Sequence, residues 1–149
     1  MELVKGSELV NLCKNVVYAG KQTKPHSIDL TVKKVYQIES KGSLDFGGSE
    51  YKASEAAKIK PVKKNPEDEY GWWDLKHGSY LITLNETIEE IEGVGFISPH
   101  PRLLKAGAFH PTLITLEWKS DYVLVLNVPA NGLSLKENSR VSKLLVLKH

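Results

Sequence analysis

Residues 112–147 read TLITLEWKSDYVLVLNVPANGLSLKENSRVSKLLVL, and their pattern is that of short apolar strands separated by turns. Thr112–Trp118, Tyr122–Val128 and Val141–Leu147 are rich in β-branched and aromatic residues, which suit a pleated, half-buried surface. Asp121, Pro129, Asn131-Gly132 and Asn138 lie between or beside them and supply the turns. The same spacing continues upstream in Ser79–Leu84 (SYLITL) and Ile88–Ile97 (IEEIEGVGFI), with Gly78, Asn85, Gly107 and Pro111 as breaks. Many short strands at such intervals, with no clear helix among them, predict a β-sandwich or barrel.

Toward the N-terminus the period-two signal returns once. Ile28, Leu30 and Val32 alternate with Asp29, Thr31 and Lys33, which predicts a strand with one buried face. Val35, Tyr36 and Ile38 extend it beyond a register change at Lys33-Lys34, as a β-bulge produces. Before this strand, Leu9, Val10, Leu12, Cys13 and Val16 form an apolar stripe at helical spacing. Ser7 is the expected N-cap of that helix, Glu8 suits its first turn, and Gly20 is the expected stop. From Glu39 to Trp73 the chain is polar and broken by Gly42, Gly47, Gly48, Pro61 and Pro66. That stretch reads as an excursion with one or two short strands. The expectation is a mainly β chain with a short N-terminal helix, forming a single domain over residues 1–149.

Composition bounds the function. Hydrophobic residues make up 41% and charged residues 26%, which is incompatible with a disordered chain. No apolar run approaches the roughly 20 residues of a membrane span. The opening MELVKGSELV has an early acid and no long apolar core, so no secretory signal is expected. One cysteine, Cys13, excludes a disulfide framework and a cysteine-rich zinc site; the expected compartment is cytoplasmic. Twenty basic against eighteen acidic residues give +2, too little for a general nucleic-acid binder. Arg102 and Arg140 are the only arginines, and every other permanent cation is lysine. Arginine is the residue that forks onto phosphates and carboxylates, so these two positions stand out.

Common catalytic signatures are missing. The chain has no phosphate loop, no Gly-x-Gly-x-x-Gly and no Gly-x-Ser-x-Gly. His26, His77, His100, His110 and His149 show no metal-ligand spacing beside carboxylates, and no protein-held metal is expected. For Trp72-Trp73 the plain expectation is that one ring packs inward while the other covers an edge or interface; the alternative is stacking on a sugar or base. Alternation puts Ile114, Leu116 and Trp118 on one face of their strand, and Leu113, Thr115 and Glu117 on the other. Glu117 is then either solvated or half-buried, and burial would raise its pKa and suit it to acid–base work.

Three stretches together resemble the dCTP deaminase/dUTPase family of pyrimidine deoxynucleotide enzymes. Pro25–Ile38 (PHSIDLTVKKVYQI) is similar to the family's early strand, where Ser/Thr-hydrophobic-Asp-hydrophobic follows a turn. His77–Gly107 (HGSYLITLNETIEEIEGVGFISPHPRLLKAG) resembles the section ending in the family's Arg-Ser-Ser-Leu-x-Arg-x-Gly signature. Thr112–Leu147 resembles its closing strands, including the deaminase's Leu-Glu within an apolar strand. The resemblance implies a distorted jelly-roll β-barrel and a homotrimer.

Carried over residue by residue, the resemblance puts Lys105 at the second signature arginine, which contacts substrate and assists the active water. His100 falls at the first arginine, with Pro101 and Arg102 at the serine pair, so the serine hydroxyl is missing and Arg102 is a displaced substitute. Glu117 matches the glutamate that activates water for attack on the cytosine ring, and Lys143 falls where the late signature has glutamine. Gly107 and Glu117 are too close for the base-binding hairpin, and the family's phosphate-covering tail after the last strand is expected to be absent. The resemblance therefore implies Glu117 and Lys105 as catalytic residues, and Arg102, His100, His110 and Lys143 as substrate-binding residues. The implied ligand is dCTP or dUTP, with Mg²⁺ bound through the triphosphate and no nucleic-acid or membrane partner. The first two readings left open are pyrimidine deoxynucleotide processing and a catalytically silent paralogue that binds nucleotide or serves as a structural trimer. A sugar-binding sandwich using Trp72 and Trp73 is the third.

Overall fold

One strand, β3 (Ile28–Ile38), joins the two halves of the fold. In the computed structural model, which describes residues 1–88, 91–116 and 121–149, the first part of β3 pairs with β12 (Arg140–Lys148) and its second part with β6 (Gly78–Leu84). The β3–β6 register shifts between Val32 and Lys34, at the Lys33-Lys34 pair where the alternation changes phase. The bulge lets one strand bend out of one sheet section and into the next.

The other elements follow in chain order. They are β1 (Glu2–Leu3), α1 (Gly6–Leu12), β2 (Cys13–Lys14), α2 (Ala19–Gln22), β4 (Ala56–Lys58), β5 (Trp72–Leu75), β7 (Thr87–Ile88), β8 (Val94–Pro99), α3 (Pro101–Lys105), β9 (Leu113–Thr115), β10 (Val123–Val128) and β11 (Leu133–Lys136). The main sheet runs β10-β6-β3-β12-β8-β9, every pair antiparallel, with β1 beside β12 and β4 beside β3. The sheet curls into a nearly closed barrel. Two ribbons, β11-β5 and β2-β7, lie off it. Leu30, Ile82, Ile97, Leu126 and Leu144 fill the interior from five strands, and Leu9 of α1 packs with them.

The mainly β fold agrees with the sequence reading, but local details differ. Ser7 lies inside α1 and Lys5 occupies the cap without a side-chain bond. Gly20 does not stop that helix; it lies inside α2. The expected strand Ile88–Ile97 is two strands, β7 and β8. Gly93, at φ +144°, separates them, and a Cβ there would run into the Leu147 carbonyl oxygen. A helix, α3, stands among the strands: Pro101 opens it and Gly107, at φ +92°, follows its end. Asp29 and Thr31, read as the open face of β3, are both buried. The excursion holds two short strands as expected, β4 and β5. Trp73 packs inward and bonds the Ile59 carbonyl, while Trp72 lies half-exposed beneath Lys64.

Candidate functional site

The buried second face of β3 carries a polar cluster. Asp29 is fully buried, and its Oδ2 accepts from Arg140 Nη1 at 3.1 Å. The same oxygen lies 3.3 Å from His100 Nε2, and Oδ1 has no hydrogen-bond partner among the described residues. Lys143 stands opposite Asp29 in the β3–β12 ladder and opposite Ser98 in β8, so one acid is faced by two permanent cations from β12. His100 is the N-cap of α3, its Nδ1 accepting from the Arg102 N–H at 3.0 Å. A neutral imidazole that accepts at Nδ1 carries its proton on Nε2 and donates it to Asp29. Burial holds the His100 pKa below its ordinary value; Asp29 pulls the other way, and Arg140 and Lys143 add to the lowering.

Through Arg140 this cluster adjoins a cleft of about 330 Å³ between α3, β11 and the turn into β12. Arg102 and Arg140, the two arginines of the chain, both line it, with Ser134, Asn138 and Ser139. Asp29 and the Lys21 carbonyl, 3.2 Å from Nη1, fix Arg140 in place; Arg102 is exposed. Two guanidiniums with hydroxyl and amide neighbours suit an anion rich in oxygens.

A second buried acid supports the first. Glu86 accepts from Thr31 N, Thr31 Oγ1 and Gln22 Nε2 at 2.8, 2.6 and 2.9 Å. Gln22 Nε2 also donates to the Asp29 carbonyl at 2.8 Å. A continuous hydrogen-bonded line therefore runs from Glu86 through Gln22 to the Asp29 backbone, and on through its carboxylate to the arginine cleft. Burial raises the Glu86 pKa above the ordinary value, against the pull of those bonds. The same burial pushes the nearby Cys13 thiol up to about 12, with the Glu86 charge adding to the rise.

No protein-family model matches the chain. Among curated proteins, the chain is 33% identical to a probable deoxyuridine 5'-triphosphate nucleotidohydrolase of Methanosarcina mazei, over 97% of this chain and 87% of that protein. The chain belongs to the dUTPase family. Identity is 32% to a protein of the same description from Methanosarcina acetivorans, and 29% to one from Methanococcoides burtonii, each covering 77% of the relative. The fold matches that of a 2'-deoxycytidine 5'-triphosphate deaminase from Agrobacterium tumefaciens, with TM-score 0.65 at 12% identity. That alignment covers 97% of this chain and 46% of the other.

Set against the dUTPase-family signature, the expected site residues separate. His100 and Lys143 stand at Asp29, and Arg102 lines the cleft. Lys105 is exposed on α3, one turn from Arg102, and does not line the cleft. His110 is buried away from it, its Nε2 2.8 Å from Ser142 Oγ and its Nδ1 2.9 Å from the Pro111 carbonyl. Burial lowers its pKa. His100 and His110 thus bond to different partners, and among the described residues no three His, Cys, Asp or Glu side chains converge as a metal site. Glu117 lies outside the described residues. In β9, Thr115 is buried and Ile114 exposed.

The sequence reading of the site missed Asp29, Glu86 and Gln22. Asp29 was within the Ser-hydrophobic-Asp-hydrophobic resemblance, and that was its available signal. Arg140 stood out only as one of two arginines. Glu86 and Gln22 carry no motif that announces them.

Proposed function

We propose that the chain processes pyrimidine deoxynucleoside triphosphates, dUTP or dCTP, with the phosphates received by Arg102 and Arg140. The 33% identity to a probable dUTP nucleotidohydrolase over 97% of the chain carries this reading; the pairing of both arginines on one cleft supports it. Two chemistries fit the class. Water attacks the phosphorus beside the sugar and diphosphate leaves, or water attacks the amino-bearing ring carbon of cytosine and ammonia leaves. Glu117 is the proposed base that takes the proton from that water, and Lys105 the proposed cation that contacts substrate and assists the same water. Lys143 acts from β12, His100 by holding Arg102 from the start of α3, and His110 by fixing β12 through Ser142.

Mg²⁺ enters this reading on the nucleotide. Asp29 is the buried acid that holds Arg140 of the cleft, and its Oδ2 is already committed to Arg140 and His100. That donor set fits a metal carried by the triphosphate rather than one held by a protein cage. Such an ion supplies charge neutralisation of the phosphate oxygens. The proposed unit is one domain, assembled as a homotrimer in the cytoplasm. Among the described residues no helix is long and apolar enough to cross a membrane.

A second reading is a silent paralogue that binds nucleotide without turning it over. The burial of His100 against Asp29 favours it, because the first signature position then offers the ligand no fork. Incubating the protein with Mg²⁺ and either dUTP or dCTP, and following diphosphate and ammonia, separates the two. Release of either supports the enzyme. Binding in a thermal-shift screen without release supports the paralogue, and neither binding nor release sinks both.

A further inference from the structure

Helix α3 spans five residues, and its first turn is held by one side chain. His100 Nδ1 takes the Arg102 N–H, and Nε2 faces Asp29 Oδ2. This ring therefore has a single protonation state that satisfies both neighbours. A second proton would have to sit on Nδ1, pointing at an N–H 3.0 Å away that needs an acceptor.

We propose that His100 is a positioning residue for the cleft: neutral, it caps α3 and holds Arg102 beside Arg140 for a polyphosphate ligand; doubly protonated, it drops the cap and loosens that ligand. The proposal rests on the nucleotide reading only for the name of the ligand. The charged groups facing the ring are Asp29 from β3 and Arg140 and Lys143 from β12; Arg102 and Lys105, on the helix it caps, are exposed. Desolvation and the two cations of β12 keep the ring neutral at neutral pH, against the pull of Asp29. The expected direction is unusual. Acidification adds positive charge, which by itself tightens anion binding, whereas loss of the cap weakens it.

Inorganic tripolyphosphate is the probe, titrated by calorimetry from pH 8 to pH 5 against wild type, His100→Asn, Arg102→Ala and the double variant. The Asn side-chain oxygen caps at every pH. Wild type should lose affinity on acidification relative to His100→Asn by about three- to tenfold, the scale of a lost helix cap. That difference should vanish in the Arg102→Ala background. Parallel profiles for wild type and His100→Asn overturn the proposal, as does a wild type that fails to bind tripolyphosphate at pH 8. In the wild type alone, the Arg102 amide resonance should titrate together with the His100 ring, and an amide that ignores the ring also overturns it. If dUTP and dCTP are neither bound nor turned over while the tripolyphosphate pattern holds, the nucleotide reading fails and the positioning role stands.

Discussion

Glu86 holds Thr31 at two atoms, taking the backbone N–H on Oε1 at 2.8 Å and the hydroxyl on Oε2 at 2.6 Å. The acid sits between β6 and β7, so this pairing ties the end of β6 to the strand that carries Asp29. Because burial raises the Glu86 pKa, folding favours its protonated form. That contribution is complete below the ordinary value of 4.5 and is lost as pH rises through the folded-state value. Wild type should therefore lose stability relative to Glu86→Gln as pH rises above the ordinary value of 4.5. Urea unfolding at several pH values checks this, and a constant gap between the two proteins refutes it.

Asp29→Ala should be the most damaging polar substitution near the cleft. It leaves Arg140 and His100 without their shared acceptor, and breaking such a buried group of partners costs about 3–5 kcal/mol. Asp29→Asn, which keeps the shape and one acceptor, should cost less. Chemical denaturation gives both numbers, and equal losses would mean that volume rather than charge is what the site needs.

Arg102→Ala should weaken dUTP or dCTP binding by about tenfold or more, the scale of one lost charge-assisted hydrogen bond. Lys105→Ala should weaken it less, because Lys105 is exposed and lies off the cleft. Calorimetry on the two variants decides. A larger effect from Lys105 would move the phosphates to the other side of α3.

Glu117→Gln should bind nucleotide as wild type does and lose about 10²–10⁴-fold in turnover, as removal of a positioned general base does. Turnover that survives in the variant removes Glu117 from the mechanism.

The barrel strands were legible because their burial follows a simple period. In β10, Leu124, Leu126 and Val128 alternate cleanly inward, and in β3 even the bulge showed as a break in phase. Helix α3 was not legible. Its cap is a histidine, which is not a usual capping residue, and its core contribution is Leu103 alone. Asp29 failed for a related reason: alternation tells which residues share a face, not whether a second layer covers that face. Here α2 covers it, since Gln22 bonds the Asp29 carbonyl and the Lys21 carbonyl takes Arg140. The arginine pair was visible as composition, but only the turn into β12 brings its members together.

The central place of β12 sets the order in which the molecule is completed. It is the last element in sequence, yet it lies between β3 and β8. On a ribosome, the first part of β3 and all of β8 must wait with open edges until residues 140–148 have emerged. Pairings across such sequence distances form late and slowly, and open edges invite the strands of another chain. Removing β12 would thus do more than delete a strand: it would convert the middle of the sheet into two adhesive borders.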